Sequence, residues 1–197
     1  MSNNMLGKLS LSDFQGPRDD FETKLAGEQG ERWFSEFKRF LRKEPTWQDF
    51  ILFIDRSKPF DPGTFIGAGW KKRNQDRYSL SMREIDFCKV SFETCLKKGE
   101  VWITGKEKLE RHEKAKHILA DAKIGQTLLE EEGQKTLEYL YNKRGIAWFE
   151  LLGTVLLGPD NCSYNLCLYR KSGCWCWRHI RLSEDRGNVA PSLVLAS

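Results

Sequence analysis

Thiols and imidazoles crowd the C-terminal third of the chain, where Cys162, Cys167, Cys174, Cys176 and His179 lie within eighteen residues. These are the groups zinc takes in a tetrahedral structural site, which is usually supplied by close pairs of the C-x2-C kind. Here Cys174 and Cys176 are separated by a single residue, so in an extended strand they share a face, and Cys162 would have to reach them across two hairpins. The expected state is free thiols packed as small hydrophobes, with no metal and no cofactor. A small zinc-binding domain is therefore the third-ranked reading. His112 and His117 stand five apart in a charged helical run, which sets them on different faces and misses the i, i+4 spacing of a helical metal pair. Both are expected on a solvated helix. Asp86, Lys89 and Glu93 carry the residue types of a metal-dependent nuclease strand, but no second acidic group stands in a recognisable context. GTFIGAGW at 63–70 has glycines without the strand-to-helix spacing of a phosphate loop. The expected protein is non-catalytic.

Two stretches could bind. In GAGWKKRNQDR, residues 67–77, Lys71, Lys72, Arg73 and Arg77 stand beside Trp70, as in a nucleic-acid patch. One aromatic is too few for a stacking platform, so a solvated loop is expected and nucleic-acid association, or a nuclease, is the second reading. In CWCWRHIR, from residue 174, alternation puts Trp175 and Trp177 on one strand face as core anchors and Cys174, Cys176 and Arg178 on the other. That second face and the following loop, with His179, Arg181, Ser183, Asp185, Arg186 and Asn188, form the expected contact surface for a protein or small-molecule ligand.

The elements that must position these residues follow from pattern. The chain has 197 residues, 40% hydrophobic and 30% charged, and a net charge of +4, which suits a globular fold and is too small an excess to imply nucleic acid by itself. MSNNMLGKLSLSDF has no apolar run after a basic start, and no segment is long enough to span a bilayer, so a cytoplasmic protein with reduced thiols and no membrane contact is expected. Residues 1–27 read as a loose arm, becoming helical near Phe21 and Leu25. From Glu28, the spacing of Trp33, Phe34, Phe37, Phe40 and Leu41 predicts an amphipathic helix ending before Pro45. Phe50–Ile54 reads as a buried strand, and 85–96 as a bulged strand paired with the GEVWITG segment. Thr104 and Glu107 predict a capping box, Asp121 a second helix start, and Gly145 the end of the last helix. Beyond it, three strands with turns at Gly158–Asn161 and Lys171–Gly173, punctuation at Gly153, and a final strand in SLVLAS read as an antiparallel meander. The expected fold class is α+β, with a mostly helical body over 28–144 and a β module over 145–197.

Several of these segments together resemble a known family. GAGW at 67–70, SLSMREIDFCKVSFETCLKKGE at 79–100, ITGKEKL at 103–109, DAKIGQTL at 121–128, GTVL at 153–156, LCLY at 166–169 and the ending G-x-W-x-W…PSLVLAS are similar to an uncharacterised family of short proteins from uncultivated small-genome bacteria. The similarity runs from about Phe50 to the C-terminus. That family's variable tail, built on G-x-W-x-W-x-x-x-W-L and PSAVLAS, resembles the variable proteins of diversity-generating retroelements. The resemblance implies a ligand-binding fold, commonly C-type-lectin-like, whose surface residues are varied by adenine-directed mutagenesis of asparagine codons. Such mutagenesis keeps a pyrimidine in the third codon position and cannot produce Trp, Met, Gln, Lys or Glu. Between Cys174 and Ser192 only Trp175, Trp177 and Glu184 belong to that set. Arg170, Arg181 and Arg186 stand where the family carries tryptophan.

Overall fold

The computed structural model describes residues 15–42 and 50–195, which belong to two compact units divided after residue 48. The first unit is a helical hairpin of α1 (Gln15–Ala26) and α2 (Gly30–Leu41). A side chain at Gly30 would place its Cβ 2.0 Å from the Leu25 carbonyl oxygen, so the tight turn between the helices requires glycine. Phe21 holds the pair together, its ring 4.7 Å from Phe37 and 6.4 Å from Trp33. Of the arm expected to be loose over 1–27, residues 1–14 lie outside the described residues, and the helix expected near Phe21 and Leu25 starts earlier, at Gln15, with Phe21 partnered by aromatics on α2.

In the second unit the elements run β1 (Ile51–Phe53), α3 (Pro62–Phe65), β2 (Lys71–Gln75), α4 (Arg77–Ser81), β3 (Glu84–Asp86), β4 (Ser91–Glu93) and β5 (Trp102–Thr104). They continue as α5 (Gly105–Lys114), β6 (Ile118–Leu119), α6 (Ala122–Glu130), α7 (Lys135–Arg144), β7 (Trp148–Leu157), β8 (Ser163–Lys171), β9 (Cys174–Arg181), β10 (Asp185–Gly187) and β11 (Ser192–Leu195). Local chemistry starts and stops the helices. Asp61, Asp76, Thr104 and Asp121 each accept a backbone N–H at the start of α3, α4, α5 and α6. Gly145 closes α7 at φ 67°. The Thr104 half of the expected capping box forms, while Glu107 turns to Arg111 instead.

β7, β8 and β9 form the expected meander, with Glu150, Cys167 and Arg178 side by side. Ser172 and Gly173, both at positive φ, make the two-residue hairpin between β8 and β9. The rest of the sheet departs from the pattern. β11 lies parallel to β7 through Ser192 and Glu150, and β2 pairs antiparallel with the far half of β7. β4 and β6 flank β11. Strands from both sides of residue 145 are thus woven into one sheet, and that position is not a boundary of the fold. Within 67–77, expected as a solvated loop, Lys71–Gln75 form β2, because β7 has a free edge there that their backbone can pair, and Arg77 opens α4. The expected pairing of 85–96 with GEVWITG is also absent. Asp86 caps a turn at Cys88 that separates β3 from β4, β3 joins β1, and β5 pairs with β10. Gly153 does not punctuate. β7 runs through it because a Cβ there would lie 2.2 Å from the Leu119 carbonyl oxygen, so glycine lets the end of β6 pass.

The α+β class stands. One face of the sheet, with Phe149, Leu151, Leu166, Leu168 and Trp175, packs with Ile124 and Leu128 of α6 and Leu137 and Leu140 of α7 as the main core. On the other face Leu152 and Val155 pack with Leu119, Leu182 and Val194, and Leu109 of α5 joins them. Among the described residues no helix is long and apolar enough to cross a membrane.

Candidate ligand-binding surface

β9 ends the sheet, so one of its edges carries no neighbouring strand among the described residues. Its register against β8 divides the expected contact residues between two faces. Cys174 and Arg178 are exposed and Cys176 half-buried on one face, where the Arg178 guanidinium lies 5.2 Å above the Trp148 ring. His179 and Arg181 are exposed on the opposite face, which they share with Trp175 and Trp177. Ser183, Asp185 and Asn188 are exposed in the segment that follows.

Two expectations for this region change. Trp175 is 5% exposed in the core, but Trp177 is only half-buried and packs 4.8 Å from Phe65. An edge strand has no neighbour to cover its second tryptophan fully. Together with His179, which is 4.5 Å from Trp70 and 5.4 Å from Tyr164, it forms an aromatic shelf along the edge of the sheet. Beside the shelf, Asp160 accepts from the Tyr164 hydroxyl at 2.8 Å and from Arg181 at 2.5 Å. The Tyr164 hydroxyl, the Cys162 backbone and the Arg181 guanidinium hold the Asp160 carboxyl down to about 2.

Arg186 is not a contact residue. It is 3% exposed, and its Nε donates to Glu150 Oε1 at 2.6 Å. Lys108, fully buried, meets the other carboxylate oxygen at 2.7 Å and also donates to the Ala190 carbonyl. Asn165 donates to Glu150 at 3.3 Å. Arg186 further donates to the carbonyls of Arg181 and Glu184, both at 2.8 Å, so it fastens the loop after β9 onto the sheet. Burial lowers the Lys108 pKa, and the Glu150 charge opposes that shift. The signal that could have found this cluster is Glu150 itself, a lone carboxylate inside the apolar run WFELLGTVLL.

The histidines also depart from expectation. α5 stops at Lys114, and a Schellman closure follows, with Lys116 N–H donating to Glu113 O and His117 N–H to His112 O at 3.0 and 3.1 Å. This turn brings His117 back, so its Nδ1 lies 2.9 Å from His112 Nδ1 and one ring donates to the other. His112 is fully buried rather than solvated. Cys95 Sγ is 3.5 and 3.4 Å from the two ring nitrogens of His112. Near-equal distances place sulfur over the ring and off both in-plane lone pairs, so it packs as a sulfur–aromatic contact and is not poised as a nucleophile. Burial first, then the charges of Lys108 and His117, hold His112 down to about 3 against an ordinary 6.5. Between those pH values the unfolded chain binds a proton that the folded chain refuses, so stability falls as pH drops from 6.5 toward 3. The expected loss is at most about 5 kcal/mol across that window. Denaturation midpoints followed against pH should therefore slope less in a His112→Leu variant than in the parent.

The remaining sequence candidates take structural places. All six cysteines are free, and burial pushes the Cys167 thiol up to about 12. Among the described residues no group of three or more His, Cys, Asp or Glu is arranged to hold a metal ion. Asp86 accepts from Cys88 N–H and pairs with Lys89 at 3.2 Å. Lys71, Lys72 and Arg73 are exposed on β2, and Arg77 lies over the Tyr78 ring at 5.0 Å. Comparison with protein-family models, with curated proteins and with solved structures finds no match to this chain.

Proposed function

We propose that the protein is a non-catalytic binding module that presents β9 and the loop after it to a protein or small-molecule partner. The observation that carries this reading is the interleaving of anchors and exposed groups in one stretch. Trp175, Ile180, Leu182, Arg186 and Ala190 are buried, while Arg178, His179, Arg181, Ser183, Asp185 and Asn188 between them are exposed. Exposed groups so arranged can change without disturbing the anchors, which is what a diversified surface needs. The aromatic shelf supplies rigid apolar area, and the arginines, histidine and asparagine supply adaptable polar contacts. The resemblance to retroelement variable proteins agrees with this division, since Trp175, unreachable by adenine-directed mutagenesis of asparagine codons, is the most enclosed of these aromatics.

Alanine exchanges at Arg178, His179, Ser183, Asp185 and Asn188 should each alter stability by less than about 0.5 kcal/mol in urea denaturation. A display library randomised at the same five positions should then yield binders to an arbitrary purified protein target. Sequencing the locus across a natural population should find substitutions concentrated in the codons of the exposed set and absent from Trp175. Polar exchanges that unfold the chain, or variation spread evenly along the gene, would overturn the reading.

A further inference from the structure

On the sheet face that carries Glu150, two adjoining cavities of about 670 and 490 Å³ share Asn74, Leu109 and Val155 and form one groove bordered by α5 and β2. The groove is lined below by Leu109, Leu119, Leu152 and Val155, apolar side chains of the smaller hydrophobic cluster. Four cations line it: Arg77 and Lys116 at the larger end, Arg73 and Lys106 at the smaller. Among the described residues none of these four is in an ion pair, whereas Arg56, Arg111, Arg170, Arg181 and Arg186 each hold a carboxylate. Two carboxylates, Asp76 and Glu113, line it as well, both at the larger end. Asp76 turns its charge to the backbone N–H groups of Tyr78, Ser79 and Leu119, and over the whole groove four cations face two carboxylates.

Lys116 adds a second, independent observation. It sits at φ 57°, in the left-handed conformation that closes α5. That position ordinarily takes glycine, because any Cβ is strained there. A lysine thus stands at a position that favours glycine, on the wall of the groove.

We propose that this groove binds a small soluble amphipathic molecule ending in a sulfonate, carboxylate or phosphate group. The apolar body lies on Leu119, Leu152 and Val155, and the anionic end lies between Arg77 and Lys116. A cavity of this size, with an apolar floor and a few charged groups around it, suits a ligand of that class. Ser183 of the presented loop lines the smaller cavity, while Arg77 and Lys116 lie outside that loop, and the proposal does not depend on the display reading.

Anilinonaphthalene sulfonate, a fluorescent amphipathic anion, tests the proposal on the full chain, with phenylnaphthylamine as the same apolar body lacking the charge. Saturable binding of one sulfonate dye per chain is expected, with the neutral dye about tenfold weaker. Arg77→Gln and Lys116→Gly should each weaken the sulfonate dye by about five- to tenfold and leave the neutral dye unchanged. Lys116→Gly should at the same time hold or raise the denaturation midpoint, because glycine relieves the backbone, so its loss of binding cannot come from unfolding. Equal affinity for the two dyes, no saturable binding, or Arg77→Gln and Lys116→Gly variants that bind like the parent would overturn the proposal. So would sedimentation with phosphatidylglycerol vesicles that disappears in the same two variants, because the occupant would then be a lipid surface.

Discussion

Replacing Glu150 by glutamine is expected to remove about 3–5 kcal/mol of stability, since it leaves the buried cations Lys108 and Arg186 without a counter-charge. Both cations touch the carboxylate directly, at 2.7 and 2.6 Å, and with Lys108 fully buried and Arg186 nearly so, water screens them little. The loss should appear as a lower urea midpoint with an unchanged slope. A triple variant, K108M/E150L/R186M, should regain much of it, because a buried ion network can be replaced by packed apolar groups at small net cost. Arg186→Ala alone should also be strongly destabilising, and it should release the loop from Leu182 to Ala190, where hydrogen exchange would report the opening. An E150Q midpoint close to that of the parent would mean that the cations are compensated by something other than this carboxylate.

Trp175→Ala is expected to cost about 3–5 kcal/mol as a large-to-small change in the core. Its ring packs 6.0 Å from Phe149, and it belongs to the same cluster as Leu168 and Leu193. Trp175→Phe should cost much less, roughly 1 kcal/mol, because the Trp175 indole nitrogen is buried without a hydrogen-bond partner and phenylalanine removes that unsatisfied donor. Trp177→Ala should fall between the two, at about 1–2 kcal/mol, since that side chain is only half-buried. Thermal or urea denaturation of the three variants gives the order directly. A Trp177 variant less stable than the Trp175 variant would reverse the assignment of anchor and shelf, and would make Trp175 the better contact residue.

What could be read from the chain was whatever chemistry acts within a few residues. Thr104, Asp121 and Gly145 mark helix ends because a side-chain oxygen or a left-handed glycine satisfies its own neighbours. The turn at Ser172 and Gly173 joins β8 to β9 for the same reason, and with the strand register it makes Trp175 and Trp177 face together. The α+β class and the end of the chain as a strand followed from such local signals. The tertiary structure alone decided which strands meet, and so which polar side chains are buried. β2 finds an edge on β7, and β5 finds β10, across stretches far longer than any hairpin, because pairing depends on where the apolar faces have already packed. Lys108 meets Glu150 and Ala190 at 42 and 82 residues along the chain. Arg186, read as a surface group, is buried against the same Glu150 carboxylate, and His112, read as solvated, is enclosed within reach of the Lys108 charge. A charge becomes buried only when a distant partner offsets its desolvation, and no periodicity in the sequence encodes that distance.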